Sequence, residues 1–385
     1  MKKELFSALI CFLLLGFSCS NRIETQVADY SRVDTVYYDY TKDVFIPRDS
    51  VFHNISYITL ETTDDNLIGD VDQVLLGDST IIIVDRYVAN GVFLFDFKGN
   101  YVGRMSRLGN GRNEYRRLSY VSKRPDKNFA VFDEISNHIM IFDERGNHIE
   151  TIISDLFGSA MEFIDDRTMV FDIFTRYPNF DKTYGNVSFV VKDSDMAIRY
   201  MFGITSLDEH FNYSRYYNLY SYGNRVYCNV NFEDYIYEFT KDSVIAKYHV
   251  LFGPENMSQH SFTTMEECFD LRKRYPYYEG EFVELADYSY FMFRGENSRE
   301  LIYKHSSKDT YALSNGYDDP MISFFRRPRA RYNDNTLVCV MTASELMLIK
   351  GVLMLTAQNN KDVMDLYSSV DLDSNPVLFF FDVDF

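Results

Sequence analysis

Residues 92–101, VFLFDFKGNY, return at residues 139–148 as IMIFDERGNH. Both copies read apolar run, Phe-Asp, two residues, Gly-Asn. This is hairpin chemistry. An Asp at the first turn position accepts backbone amides, and Gly supplies the positive φ that closes the turn. Asp96 and Asp143 therefore read as turn-makers rather than acids or metal ligands. Each copy follows a strand that also ends in Asp: IIIVDRYVANG at 81–91 and FAVFDEISNH at 129–138. One unit is thus strand, turn, strand, Gly hairpin, strand.

The unit recurs. Val191 and Phe239 occupy the position of Phe95 and Phe142, and the four anchors are spaced 47, 49 and 48 residues apart. A period near 48 with four short strands is the size of a propeller blade. Helical pairs have similar periods, but alternation punctuated by Gly turns argues for strands. Tyr303 anchors a fifth unit, 64 residues after Phe239. The excess, residues 261–276, reads as a short helix capped by Ser261, Thr263 or Thr264 and stopped by Pro276. In the sixth unit, residues 336–349 read as a strand, 358–370 as a helix and 375–385 as a terminal strand carrying Phe380. The expected fold is all-β, a six-bladed β-propeller with short helical insertions in blades 5 and 6. A propeller must close, because an open blade edge leaves backbone groups unpaired. ISYITLE (55–61) is expected to pair with the C-terminal blade.

The N-terminus lies outside this scheme. Lys2 and Lys3 precede an apolar stretch from Leu5 to Ser18, too short to span a bilayer. Gly16 and Ser18 sit at −3 and −1 from Cys19, an arrangement that resembles a bacterial lipobox. Cys19 is then the lipidated first residue of the mature chain. A plain secretory signal or an uncleaved anchor is the alternative. The division expected is a signal peptide at 1–18, a tether at 19–45 to which DTVYYDY adds a loose strand, and the propeller at 46–385. Of the remaining cysteines, Cys228, Cys268 and Cys339, the number is odd and no CxxC exists, so buried thiols are expected rather than a disulfide framework. The formal net charge of −18 opposes nucleic acid and anionic membrane surfaces as partners. An aromatic share of 17% suits pleated, half-buried strands.

Four stretches together carry a resemblance: YITLETTDDNLIGDVDQVLL at 57–76, VFLFDFKGNYV, LGNGRNEY at 108–115 and the closing NPVLFFFDVDF. They resemble the six-bladed, NHL-like β-propeller lipoproteins of Bacteroidota-type cell envelopes, over about residues 43–385. The resemblance implies export, a lipid anchor and a propeller, without a reaction or ligand. Family members usually read Gly-Pro-Gly-Glu-Tyr where this chain has Gly111-Arg112-Asn113-Glu114-Tyr115.

No HExxH, GxSxG, P-loop or dinucleotide fingerprint is present, and the seven His have no ligand spacing. No cofactor or metal is expected. The strongest basic run is FFRRPRARYNDN (324–335), where Arg326, Arg327, Arg329 and Arg331 offer guanidinium forks to a carboxylate, sulfate or phosphate. The bland alternative is a rim loop whose arginines pair with local carboxylates. Arg112, Glu114 and Tyr115, in the altered turn, complete the candidate ligand set. Tyr-rich stretches at 211–224 and 274–282 could stack on sugars or peptides, or pack between blades. The expected role is a cell-envelope lipoprotein that binds a glycan, a peptide or an outer-membrane partner protein through the propeller's loop face. The alternative is a metal-dependent lactonase-like hydrolase or a polysaccharide lyase working at the axis, and a purely structural partner of an outer-membrane complex is a third reading.

Overall fold

A computed structural model describes residues 25–42, 44–111, 113–173, 187–203, 218–228, 233–295, 298–316, 318–357 and 359–385. Four strands precede the first repeat: β1 (Thr25–Gln26), β2 (Asp34–Tyr37), β3 (Phe45–Ile46) and β4 (Phe52–Thr59). Blade 1 is β5 (Gln73–Leu76), β6 (Thr80–Asp85), β7 (Gly91–Asp96) and β8 (Tyr101–Arg104). Blade 2 is β9 (Leu118–Lys123), β10 (Phe129–Asp133), β11 (His138–Phe142) and β12 (His148–Ile153). Blade 3 is β13 (Ala160–Phe163), β14 (Thr168–Asp172), β15 (Phe189–Asp193) and β16 (Ile198–Phe202). Blade 4 is β17 (Leu219–Tyr222), β18 (Arg225–Cys228), β19 (Tyr235–Phe239) and β20 (Val244–Leu251). Blade 5 is β21 (Tyr277–Glu284), β22 (Tyr288–Arg294), β23 (Arg299–Lys304) and β24 (Asp309–Leu313). Blade 6 takes β25 (Pro328–Arg331), β26 (Thr336–Met341) and β27 (Val377–Val383) from the C-terminal end, and β4 supplies its outer strand. The fold is a six-bladed β-propeller.

All six anchors fall on the third strand of a blade: Phe95, Phe142, Val191, Phe239, Tyr303 and Phe380. All six are buried. A third strand lies between two partners and under two neighbouring blades, so it is apolar on both faces and keeps the repeat most clearly. The recurring Asp residues bend the hairpin that follows. Asp96 Oδ1 accepts the amides of Lys98 and Asn100 at 2.8 and 2.9 Å, and Gly99 holds φ +86°. Asp143 and Gly146 repeat this at the next blade.

The ring closes as expected from residues 55–61. β4 runs antiparallel to β27, from Val377 opposite Thr59 to Val383 opposite Phe52. The segment before it departs from a simple tether. From Thr25 onward it adds a parallel fifth strand to three blades in turn, β1 on β16, β2 on β20 and β3 on β24. The outer strands of blades 3, 4 and 5 each present an unpaired edge, and the strap satisfies it. Val36, fully buried within it, ties the strap to the core.

Three helices are present among the described residues: α1 (Met265–Arg274), α2 (Ala343–Thr356) and α3 (Lys361–Ser369). The first matches the helix read at 261–276, with Thr264 and Glu267 forming a reciprocal capping box. Residues 336–349 differ from a single strand. β26 stops at Met341, and Thr342 and Glu345 cap a helix by exchanging backbone and side-chain bonds. The signal is Thr-x-x-Glu ahead of a run rich in Leu and Met, strong helix formers.

Antiparallel blades divide the connections between two ends. First-to-second and third-to-fourth strand turns fall on one face and are short. Second-to-third connections and those between blades fall on the other, which carries α1, α2 and α3. Buried aspartates stitch this loop face together. Asp85, at the end of β6, accepts the amides of Gly69 and Asp70 from one loop and of Val88 and Ala89 from another. Asp133 does the same between Arg116 and the Ile135–Ser136 turn. The Asp that closes each of these second strands is therefore a loop organiser.

Candidate functional site

The innermost strands β5, β9, β13, β17, β21 and β25 surround the axis. Their polar side chains bond mainly to neighbouring blades. Gln73 pairs with both backbone groups of Val121, at 2.9 and 3.0 Å. Lys123 Nζ donates to the Leu76 carbonyl at 2.8 Å, and burial lowers its pKa. Glu162, on β13, is a buried carboxylate. Ser122 Oγ donates to its Oε2 at 2.6 Å, and Tyr120 Oη lies 2.7 Å from its Oε1. Tyr120 Oη is also 3.1 Å from the Leu219 carbonyl, so its one proton can serve either acceptor. Burial pushes the Glu162 carboxyl up to about 7, against hydrogen bonds from Ser122, Tyr120 and Ser221 that lower it. This cluster joins blades 2, 3 and 4. Sequence reading missed it, and the available signal was a lone Glu inside the apolar run AMEF at 160–163.

The basic run enters the ring along blade 6. Arg326 folds back on its own loop, with Nη1 donating to the carbonyls of Ser323 and Phe325 at 2.9 and 2.8 Å. Arg327 is half-buried and lies close enough to Tyr222 and Tyr290 to lower their otherwise raised pKa values. Arg329 is exposed on the inner strand, and Arg331 reaches blade 5, with Nη1 3.4 Å from the Glu284 carbonyl. Arg329 and Arg331 therefore lie on the innermost strand of blade 6, Arg326 and Arg327 lie in the loop just before it, and the four do not converge on one point.

The other candidate residues, of the altered turn, fall between β8 and β9, the strands joined by the connection from blade 1 to blade 2 on the loop face. Arg112 lies outside the described residues. Glu114 organises the turn: its carboxylate accepts Gly111 N at 2.8 Å and pairs with Arg107 Nε at 2.9 Å. Tyr115, expected to touch a ligand, is fully enclosed, and its hydroxyl donates to the Asn90 carbonyl at 2.7 Å. Its ring fills the core between blades 1 and 2, which corrects its candidacy as a contact residue. Cys19 and Tyr residues 213, 216 and 217 also lie outside the described residues. Cys228, Cys268 and Cys339 are buried.

One arrangement has the elements of nucleophile activation. Ser289 Oγ lies 2.7 Å from His305 Nε2, whose Nδ1 faces the Ala286 carbonyl at 3.0 Å, and Ser289 Oγ also donates to Glu284 Oε2 at 2.7 Å. Ser289 is completely enclosed, however, and Tyr248 fills the other side of Glu284. The group is a polar joint between blades 4 and 5. Among the described residues no three His, Cys, Asp or Glu side chains are placed to share a metal ion.

The two faces differ most in what they expose. Loop-face connections present Leu67, Tyr87, Val88, Leu108, Ile135 and Phe157 at their tips, and α2 adds Leu348, Val352 and Leu355. Among the described tight turns, Tyr332 is the one exposed large apolar residue. A cavity of about 420 Å³ opens at the end of α2, lined by Pro320, Leu355, Thr356, Ala357, Asn359 and Asn360.

The family model described as a domain of unknown function, DUF4934, matches residues 35–382, almost the whole ring together with two of its three strap strands. The chain belongs to the DUF4934 family. Its propeller is similar to that of a "putative exported protein" of Bacteroides fragilis NCTC 9343, with 14% sequence identity, coverage of 91% of this chain and 100% of that one, and a TM-score of 0.73. It also matches a member of the DUF4221 family from Bacteroides vulgatus at 9% identity, with coverage of 87% and 97% and a TM-score of 0.46. The likeness to the Bacteroides fragilis protein is one of fold. No curated protein matches this DUF4934 chain.

Proposed function

We propose that the chain is an exported, lipid-anchored binding module that holds a partner protein or peptide on its loop face. The observation that carries this reading is the asymmetry of the ring. One end is closed by short polar turns, and the other gathers the helices, the long connections and the exposed apolar tips. Monomeric surfaces rarely gather apolar side chains on one side unless that side meets something. Export is supported by the N-terminal segment and by the description of the Bacteroides fragilis relative, and anchoring by Cys19. The exposed Arg329 and the neighbouring Arg331 suit an acidic group of such a partner at the channel wall. Binding is favoured over axial hydrolysis because both carboxylate oxygens of Glu162 lie within hydrogen-bond distance of blade 2 hydroxyls, those of Ser122 and Tyr120.

The test is site-specific photo-crosslinking in cells that export the full chain. A photoreactive residue at Val88, on the loop face, should yield a discrete adduct. One at Asp195, in a tight turn, should not. Equal adducts from both positions would remove the reading.

A further inference from the structure

Resting on the lipid-anchor reading of Cys19, we infer that the outer rim of the ring along its strap, and neither of its two faces, is the side that meets the bilayer. A chain running free from Cys19 to residue 45 would be a tether of 27 residues, with a reach of about 90 Å. The strap removes nearly all of it. Thr25 pairs with Met201 and Gln26 with Phe202, on the outermost strand of blade 3. Ala28 is buried in the core that runs through blades 2 to 4. Asp29 exchanges backbone bonds with Val244 and Ala246 of blade 4, both at 2.9 Å. The chain is therefore fixed from Thr25 onward, six positions after Cys19. Whatever path they take, six residues reach at most about 20 Å. A domain of this size is about 50 Å across. The rim of blade 3 is thus held to the membrane by less than half the width of the ring.

A short tether leaves the ring three ways to rest, on its loop face, on its turn face or on its rim. Resting on the loop face would close that face to the partner proposed above. Resting on the turn face would press exposed charges such as Lys98, Asp195 and Lys241 against the lipid. The rim beside the tether is better suited. Val27 is 83% exposed there, and Tyr30 and Tyr37, also on the strap, are 46% and 48% exposed. Tyr joins an apolar ring to a polar tip, the combination that settles at headgroup level. Charge along the strap is nearly balanced. Residues 25–42 hold three acids and two bases, and Asp34 pairs with Lys308 and Asp39 with Lys42. The net charge of −18 opposes anionic lipid, so the fitting surface is one of neutral headgroups. The anchor supplies the attachment, and the strap sets which side of the ring faces the lipid. The loop face then opens sideways, toward proteins held at the same membrane.

The experiment places the full, lipidated chain in phosphatidylcholine vesicles that contain phosphatidylcholine spin-labelled at the headgroup. A fluorophore is attached to one introduced cysteine at a time: Val27→Cys on the strap, Val88→Cys on the loop face, Lys98→Cys on the turn face, and Ser56→Cys on the outer strand of blade 6, across the ring from blade 3. All four positions are exposed, whereas Cys228, Cys268 and Cys339 are buried, so the wild-type chain serves as the labelling blank. Quenching by the spin label should be at least about threefold stronger at Val27 than at the other three positions, which lie beyond the reach of the tether. Strongest quenching at Val88 or at Lys98 would show a ring lying on a face, and equal quenching at Val27 and Ser56 would show a ring that turns freely. Either result, in chains that float with the vesicles, would overturn this inference alone and leave the anchor standing. Chains that fail to float would remove the Cys19 anchor and this inference with it.

Discussion

Replacing Glu162 with glutamine should change how stability depends on pH more than it changes stability at any one pH. The carboxyl is buried, and its pKa is raised from the ordinary 4.5 to about 7. Between those values the folded chain holds a proton that the unfolded chain has lost. Folding stability contributed through this group therefore falls as pH rises from 4.5 to 7 and is level outside that window. At about 1.4 kcal/mol per pH unit, the wild-type protein loses about 3 kcal/mol across it. The glutamine side chain has the same shape and does not titrate. Its amide trades a hydroxyl acceptor for a donor, at a cost near ~1 kcal/mol that is the same at every pH and cancels in the comparison. The Glu162→Gln variant should thus gain about 3 kcal/mol on the wild type between pH 4.5 and pH 8. A propeller of this size unfolds with an entropy of roughly 0.7 kcal/mol/K, so the difference in melting temperature should move by ~4 °C. Thermal melts by circular dichroism at the two pH values are sufficient. Parallel pH profiles for the two proteins would show that Glu162 is not the strained, buried carboxyl described above.

Asp85→Ala should cost about 3–5 kcal/mol, because four loop amides lose one buried charged acceptor, whereas Asp96→Ala at an exposed hairpin should cost about 1 kcal/mol. Melting temperatures that rank these two the other way would contradict the division between loop organisers and turn-makers. Tyr115→Phe removes a buried hydroxyl and orphans the Asn90 carbonyl. It should destabilise by about 1–2 kcal/mol while leaving the Val88 crosslink intact, and a lost crosslink at full stability would restore Tyr115 as a contact residue. Incorporation of a palmitate analogue should vanish in Cys19→Ala, and labelling that persists would remove the lipid anchor.

Much of the architecture was legible because the hydrophobic repeat is a local pattern. Phe95, Phe142, Val191, Phe239, Tyr303 and Phe380 sit on strands buried on both faces, where each position accepts few residue types. The hairpin Asp and Gly are equally local, since a tight turn needs those residues within four positions. The start of α2 was legible too, in Thr342 and Glu345, but it was hidden by reading the apolar run after it as an extension of β26. Apolar runs do not by themselves distinguish strand from helix. The strap at 25–46 was harder. Its strands are two to four residues long, and they exist only because three blades offer them an edge.

The candidate site was less visible, for a different physical reason. Arg326, Arg327, Arg329 and Arg331 are neighbours in sequence, but strand geometry and a bend in the loop send them to different partners. Tyr115 looked available beside Glu114, yet one residue is core and the other is a turn brace. Conversely, Glu162, Tyr120 and Ser221 come from three blades and meet only where neighbouring inner strands pack together.

By itself the sequence determined the period, the blade count and the chemistry of the turns, which depend on residues near one another along the chain, and it pointed to the closing strand because a ring cannot leave its last blade with an open edge. Only the tertiary structure decided which end of the ring carries the helices, which polar side chains meet at the axis, and which apolar ones remain uncovered. Those outcomes depend on distances between blades, and the local pattern that specifies each blade carries no record of them.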